Sequence, residues 1–306
     1  MGRCAGTKLS QWVLSLVGTE AGRHLALALA LMAAFLHALF GALQKGRHDP
    51  WLARAAIDAS YGLIAAPFAL CVVPWPEPHM WPIFAGAFVI HSAYKVAQAM
   101  AYDRAPYTVV YPVVRGTGPL LTVIAAGVVF GEHFLPGQWL GLALLVGGIL
   151  GLAAWNLTQL PQGRSLGPAL ALALVTGAFV ALYTTFDAWG IRVTADPFTF
   201  LAWFFMIDGV FIPALTFRRW RGLAPAQMAS LLKRGVFGAL VAYFSFGGIM
   251  LATRIDRVGE AAALRETSVV FAALIGWRVL GEKTGRVQLA LMAVIATGAV
   301  VVEFAG

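Results

Sequence analysis

Residues 261–283 read Ala-Ala-Ala-Leu-Arg-Glu-Thr-Ser-Val-Val-Phe-Ala-Ala-Leu-Ile-Gly-Trp-Arg-Val-Leu-Gly-Glu-Lys, and they constrain the chain more than any other stretch. The run is long enough to cross a bilayer, for which about 20 apolar residues suffice. Yet Arg265, Glu266 and Thr267 stand side by side well inside it. Charges at that depth cost about 2.5–3.5 kcal/mol each on insertion scales, so they face a protein interior or a wet cavity rather than lipid. The same phrase stands earlier, where Tyr-Pro-Val-Val-Arg-Gly-Thr-Gly-Pro-Leu-Leu begins at Tyr111 and the span closes on Gly131-Glu132. Arg115 precedes Glu132 by 17 positions, as Arg265 precedes Glu282, and Thr117 and Thr267 keep that register. A polar membrane motif occurs twice.

Composition agrees with this reading. Of 306 residues, 60% are hydrophobic and only 12% charged, and the mean hydropathy is +0.78; soluble domains carry nearer a quarter charged residues. The chain reads as an all-α polytopic membrane protein, with room for ten transmembrane helices joined by short loops. A net charge of +8 spread over short loops fits attraction to anionic membrane lipids, and no nucleic-acid partner is expected. Cys4 and Cys71, the two cysteines, exclude a disulfide framework or a cysteine-rich metal site. No serine–histidine–acid set, phosphate-cradling loop or metal box is in view, so neither an enzyme nor a cofactor is expected. Residues 1–23 read as an interfacial segment rather than a removed signal, because 9–17 is too brief to span and no Ala-x-Ala pattern follows.

The expected crossings are 24–44, 57–75, 81–101, 107–130, 137–156, 168–189, 197–216, 235–253, 261–283 and 286–304. A polar linker at 158–167 separates 24–157 from 168–306, and the two parts repeat. Asp49-Pro50 matches Asp196-Pro197, Asp103-Arg104 matches Asp256-Arg257, and Arg115 matches Arg265, at offsets of 147, 153 and 150. Each copy holds five spans. Five is odd, so the second copy enters the membrane in the opposite sense, giving two inverted five-helix repeats. Such repeats build carriers whose site lies at their interface near the midplane. In the fifth span, Gly137/Gly141 and Gly147/Gly151 have the spacing that lets helices approach closely, including the helices of a homodimer.

Candidate functional residues stand in pairs four apart, and so on one helix face: His91 with Lys95, Tyr111 with Arg115, Tyr183 with Asp187. Tyr94, Arg265, Glu266, His37 and Trp203 complete the candidate set for a small-molecule substrate. One polar stripe per helix suggests a shared cavity; the alternative is mutual neutralisation between helices, for example Asp187 with Lys95. Glu266 and Asp187 are the candidates for proton coupling. His37 and His91 titrate in the range that suits a relay, although a helical histidine is more often a hydrogen-bonded packing residue. Trp203, with Phe204 and Phe205 beside it, offers a stacking surface, though core packing is commoner for such residues. Pro112 and Pro119 remove backbone donors on either side of Arg115, which predicts a kinked or unwound fourth span. Glu132 and Glu282 read as capping groups at the ends of their helices.

The phrases VVYPVVRGTGPLL, AAALRETSVVFAALIGW and YTTFDAWGIR resemble those of bacterial drug/metabolite transporters of the EamA type, over about 24–304. The resemblance implies ten spans in two inverted repeats, a bacterial inner-membrane location, and alternating-access movement of small solutes. Relatives often read His-Ala-x-x-Asn in the first span, where this chain reads His37-Ala38-Leu39-Phe40-Gly41. Basic residues concentrate in the loops opposite the termini, which by the positive-inside rule turns the termini outward; the resemblance implies cytoplasmic termini. The expectation is therefore a secondary transporter, an exporter of a small polar or anionic metabolite. The alternative is a non-transporting membrane sensor or assembly partner.

Overall fold

In a computed structural model the chain is described over residues 8–44, 49–105, 107–158, 166–279 and 285–305. Among the described residues every regular element is helical: α1 Lys8–Ser15, α2 Glu20–Gln44, α3 Pro50–Pro67 with a π-helical extension Phe68–Val72, α4 Met80–Arg104, α5 Tyr107–Phe130, α6 Pro136–Thr158, α7 Gly167–Val193, α8 Pro197–Asp208, α9 Phe211–Trp220, α10 Pro225–Ile255, α11 Val258–Arg265, α12 Ser268–Val279 and α13 Arg286–Phe304. Cys4, most of the linker and Glu282 lie outside the described residues.

Among the described residues, eight helical stretches are long and apolar enough to cross a membrane: α2, α3 with its extension, α5, α6, α7, α8 together with α9, α10, and α13. The second crossing runs over Trp51–Val72, earlier than the expected 57–75, because Asp49 starts α3. Its carboxylate accepts from the backbone N–H of Trp51 at 2.8 Å and of Leu52 at 3.3 Å. Asp196 does the same for α8, accepting from Phe198 at 2.8 Å and Thr199 at 3.1 Å. An aspartate followed by proline is a strong start signal, since the side chain meets donors the helix leaves open and proline lacks one.

Two expected crossings are not among the eight, for physical reasons. α4 is 25 residues long, but His91 and Lys95 near its middle lower its hydropathy. The ninth is cut into α11, of 8 residues, and α12, of 12. The seventh is also divided, at Gly209-Val210, rather than running as one helix.

The described residues form two compact units, one from Met1–Ser92 with Phe186–Asp256 and the other from Ala93–Thr185 with Arg257–Gly306. The division falls inside α4 and inside α7, so each unit takes helices from both halves of the sequence.

In the first unit α2 packs on α10, and α3 packs on α8, α9 and α10. α3 and α8 meet backbone to backbone: a Cβ on Gly209 would lie 2.7 Å from the Asp58 carbonyl oxygen and 2.8 Å from Gly62 Cα. The core here is aromatic, with Phe84, Phe200, Phe204 and Phe205 all buried. Arg192 closes the end of α10, donating to the carbonyls of Thr253 at 2.8 Å and Asp256 at 2.7 Å.

In the second unit α6 packs on α13, and α5 on α6 and α11. The glycine stripe of α6 makes the first contact possible. A Cβ on Gly137 would meet Ala305 at 2.7 Å, on Gly141 Val302 at 2.6 Å, on Gly148 Ile295 at 2.7 Å, and on Gly151 Leu291 at 2.9 Å. The small-residue face of α6 is thus largely covered within the chain. The order of these contacts makes α6 and α13 antiparallel. α5 and α11 are antiparallel too, with Glu132 beside Val258 and Arg115 beside Glu266. In the first unit so are α3 and α8, with Tyr61 on Asp208 and Pro74 on Thr199.

Glu132 does act as a cap, but for α11 rather than its own helix: its carboxylate accepts from the N–H of Val258 at 2.7 Å and of Gly259 at 2.9 Å. A carboxylate also complements the positive end of the α11 dipole. Glu132→Ala should therefore destabilise the protein by about 1–2 kcal/mol, read as a lower Tm of detergent-purified protein.

Candidate functional site

The second unit brings Arg115, Arg265 and Glu266 together. α5 presents Tyr111 and Arg115 on one face, and the Arg115 guanidinium lies 5.3 Å above the Tyr111 ring, within cation–π range. α5 is uninterrupted through Arg115, so the unwinding expected there does not occur. Each proline removes only one backbone bond, at the carbonyls of Thr108 and Arg115, and the rest of the 24-residue helix keeps its ladder; the Thr117 and Thr122 hydroxyls donate to other carbonyls, Val113 O at 2.8 Å and Gly118 O at 2.9 Å. Gly116 and Gly118 serve packing instead, against Leu150 and Val180.

The break falls in the other copy of the motif, between α11 and α12. There the N–H groups of Glu266 and Thr267 reach only three residues back, to Ala263 and Leu264, each at 3.1 Å. The Thr267 hydroxyl also takes the Leu264 carbonyl at 2.7 Å, a local bond that competes with helix continuation. The tightened turn leaves Glu266 facing α5.

Glu266 Oε1 accepts from Arg115 Nη1 at 2.9 Å and lies 3.7 Å from Arg265 Nε. All three side chains are buried: 4% of the Arg115 and Arg265 side chains and none of Glu266 is exposed. Arg115 Nη2, Arg265 Nε and Glu266 Oε2 make no hydrogen bond. Arg265 Nη2 is 3.5 Å from the Thr184 hydroxyl, and Tyr111 OH is 3.5 Å from Ser268 Oγ. Tyr94 and Tyr183 are buried with their rings edge to face at 5.0 Å, and Gln98 donates to Tyr94 OH at 2.7 Å. Lys95 is buried in the same unit. Two guanidiniums sharing one carboxylate leave a net positive charge in a region that excludes water, and such a group attracts an anion strongly.

The remaining candidates fall in the first unit. His91 Nε2 and Asp187 Oδ2 are 2.8 Å apart and buried, with the imidazole edge-on to Phe204 at 4.9 Å. Trp203 is buried against Trp75 and Trp81 at 5.0 and 5.2 Å, a packing position. His37 is half-buried, and its ring meets Phe246 at 5.9 Å.

Sequence reasoning left out a second ionisable group in this unit. Arg54 Nε donates to Asp58 Oδ1 at 2.6 Å, and Tyr61 OH donates to Asp208. Asp58 and Asp208 are buried. The signal for them was present, since both are carboxylates inside apolar spans; Asp208 has no polar residue four positions away to mark a stripe, and Arg54, four before Asp58, lies ahead of the expected 57–75 crossing. Among the described residues no three of His, Cys, Asp and Glu gather to hold a metal ion.

Comparison with known proteins places these residues in a wider setting. The EamA-like transporter family matches residues 24–154 and again 167–304. The uncharacterised protein y4nH of Sinorhizobium fredii is 36% identical over 77 residues, covering 25% of this chain and 66% of that protein. One solved crystal structure aligns with a TM-score of 0.74 over 94% of this chain and 99% of its own, at 17% identity, a likeness of fold.

Proposed function

The chain belongs to the EamA-like transporter family, and on that premise we propose that it is a secondary active exporter of a small polar or anionic metabolite. It works by alternating access in the bacterial inner membrane and performs no chemical transformation. The observation that carries this reading is the buried Arg115–Glu266–Arg265 cluster, built from both family repeats. An ionisable cluster inside apolar spans is expensive and marks a solute pathway. Glu266, or Asp187, exchanges a proton for the solute. Its partners are that solute and the surrounding lipid; two copies pairing through small-residue faces would use faces other than the one α6 turns to α13.

The reading includes ten crossings in two inverted five-helix repeats, 24–157 and 168–306, joined by 158–167 and preceded by an interfacial 1–23. Antiparallel packing of α3 with α8, α5 with α11 and α6 with α13 supports inversion, because each pair holds equivalent positions of the two repeats. Single cysteines replacing Asp103 and Asp256, in a background lacking Cys4 and Cys71, should react with an impermeant maleimide from opposite faces of the membrane. Reaction from one face would overturn the inversion, and the face of Asp256 settles which way the termini point.

The function itself is tested in proteoliposomes offered radiolabelled three-carbon carboxylates. Preloaded vesicles should accumulate label by exchange. Binding without any exchange would leave a receptor in place of a carrier.

A further inference from the structure

We infer that the Arg115–Arg265–Glu266 cluster selects a small monocarboxylate bearing a hydroxyl beside its carboxylate, with Glu266 as the residue that sets this choice. The inference rests on the transport reading and narrows its substrate to a hydroxy acid.

Three buried polar atoms carry the argument. Arg115 Nη2 and Arg265 Nε are N–H donors without a hydrogen bond, and Glu266 Oε2 is an acceptor without one. Leaving such atoms unmatched in a water-poor interior is unfavourable. All three belong to side chains already in contact through Glu266 Oε1, with Arg115 Nη1 at 2.9 Å and Arg265 Nε at 3.7 Å. The complementary ligand therefore presents an anionic acceptor to two guanidinium N–H groups and a donor to the carboxylate beside them. A carboxylate with a neighbouring hydroxyl does both.

Charge then separates this ligand from its relatives. Two guanidiniums and one carboxylate sum to one positive charge, which a monoanion neutralises. A dianion brings a second negative charge against Glu266. A zwitterion satisfies the same three atoms but leaves the cluster's positive charge unbalanced and sets its ammonium near two guanidiniums. Such differences weigh heavily where the dielectric is low. A plain monocarboxylate balances the charge but leaves Glu266 Oε2 unmatched. The tightened turn at Glu266 and Thr267 is what aims this carboxylate at α5.

The test uses four probes with a three-carbon skeleton: lactate, propionate, alanine and malonate. Their binding to detergent-purified full-length protein is measured by titration calorimetry at one pH and ionic strength. Lactate should bind about tenfold or more tightly than propionate, the worth of a hydrogen bond to a charged acceptor, and more tightly than alanine or malonate. Glu266→Gln keeps an acceptor and removes the charge, so malonate should then bind more tightly than lactate. Propionate equal to lactate, or alanine or malonate tightest on the parent, overturns the selection. A Glu266→Gln protein that still prefers lactate to malonate removes Glu266 as the selector. The order of the four probes on the parent needs no variant, so it decides the matter even if Glu266→Gln does not fold. Binding of none of the four overturns the anion-site reading itself, a result distinct from binding in the wrong order.

Discussion

Arg115→Lys should weaken binding of a carboxylate probe such as lactate by about 10- to 100-fold, while the protein still inserts and folds. The expected loss follows from geometry. Arg115 holds Glu266 with Nη1 at 2.9 Å and keeps Nη2 free of hydrogen bonds. A planar guanidinium can serve two acceptors at once, whereas lysine offers one compact charge. Lysine at 115 would retain the ion pair with Glu266 but gather its donors on one nitrogen and lose the separate Nη2 position, and a charged hydrogen bond is worth about 1.5–3 kcal/mol. Arg265→Lys should weaken binding less, because Arg265 lies farther from Glu266, at 3.7 Å. If Arg115 serves only as a counter-ion, lysine substitutes for it and affinity stays at the parent value. Calorimetry on the purified variants separates the two outcomes, and a size-exclusion profile matching the parent shows that folding is intact.

The largest effect on stability is expected at the α6–α13 crossing. A Cβ on Gly298 would lie 2.7 Å from the Gly141 carbonyl oxygen, and one on Gly141 only 2.6 Å from the Val302 nitrogen. These neighbours are backbone atoms and cannot rotate away. Helices in lipid associate through close packing rather than through a hydrophobic drive, so pushing this pair apart removes what holds it together. Gly141→Val should destabilise by about 1–3 kcal/mol or more, the range for overpacking a filled interior. The sign is checked by Tm and by the yield of monodisperse protein. Gly147→Val is the internal control: a Cβ there meets nothing within 4 Å, and its Tm should match the parent. Equal damage at both positions would mean that valine harms this helix for a reason other than crowding.

The amino-acid sequence by itself determined the class of the molecule and its internal repetition. Apolar runs near twenty residues long admit a helical membrane protein because lipid leaves backbone groups no other partner. The two Arg–Glu phrases at the same spacing mark equivalent positions in the repeats, and Asp196-Pro197 stands where the seventh crossing was expected to begin; the same signal at Asp49-Pro50 starts α3 ahead of the crossing expected at 57. These are local signals: length, composition and a cap need no knowledge of neighbours.

What surrounds a residue was decided by tertiary structure. Two prolines beside Arg115 pointed to a kinked or unwound α5; α5 runs through without unwinding, and the interruption lies at Glu266-Thr267. Each proline costs one bond of a 24-residue helix, while the Arg265–Thr267 turn aims a carboxylate at a guanidinium 151 positions away. Asp187 meets His91 across 96 positions, a pairing that no spacing along either helix announces. Trp203 offered a stacking surface or, more commonly for such residues, core packing, and it is packed against Trp75 and Trp81. Periodicity shows which face of a helix is polar; the folded chain alone shows which helix that face meets, because partners far apart in sequence leave no local trace of one another.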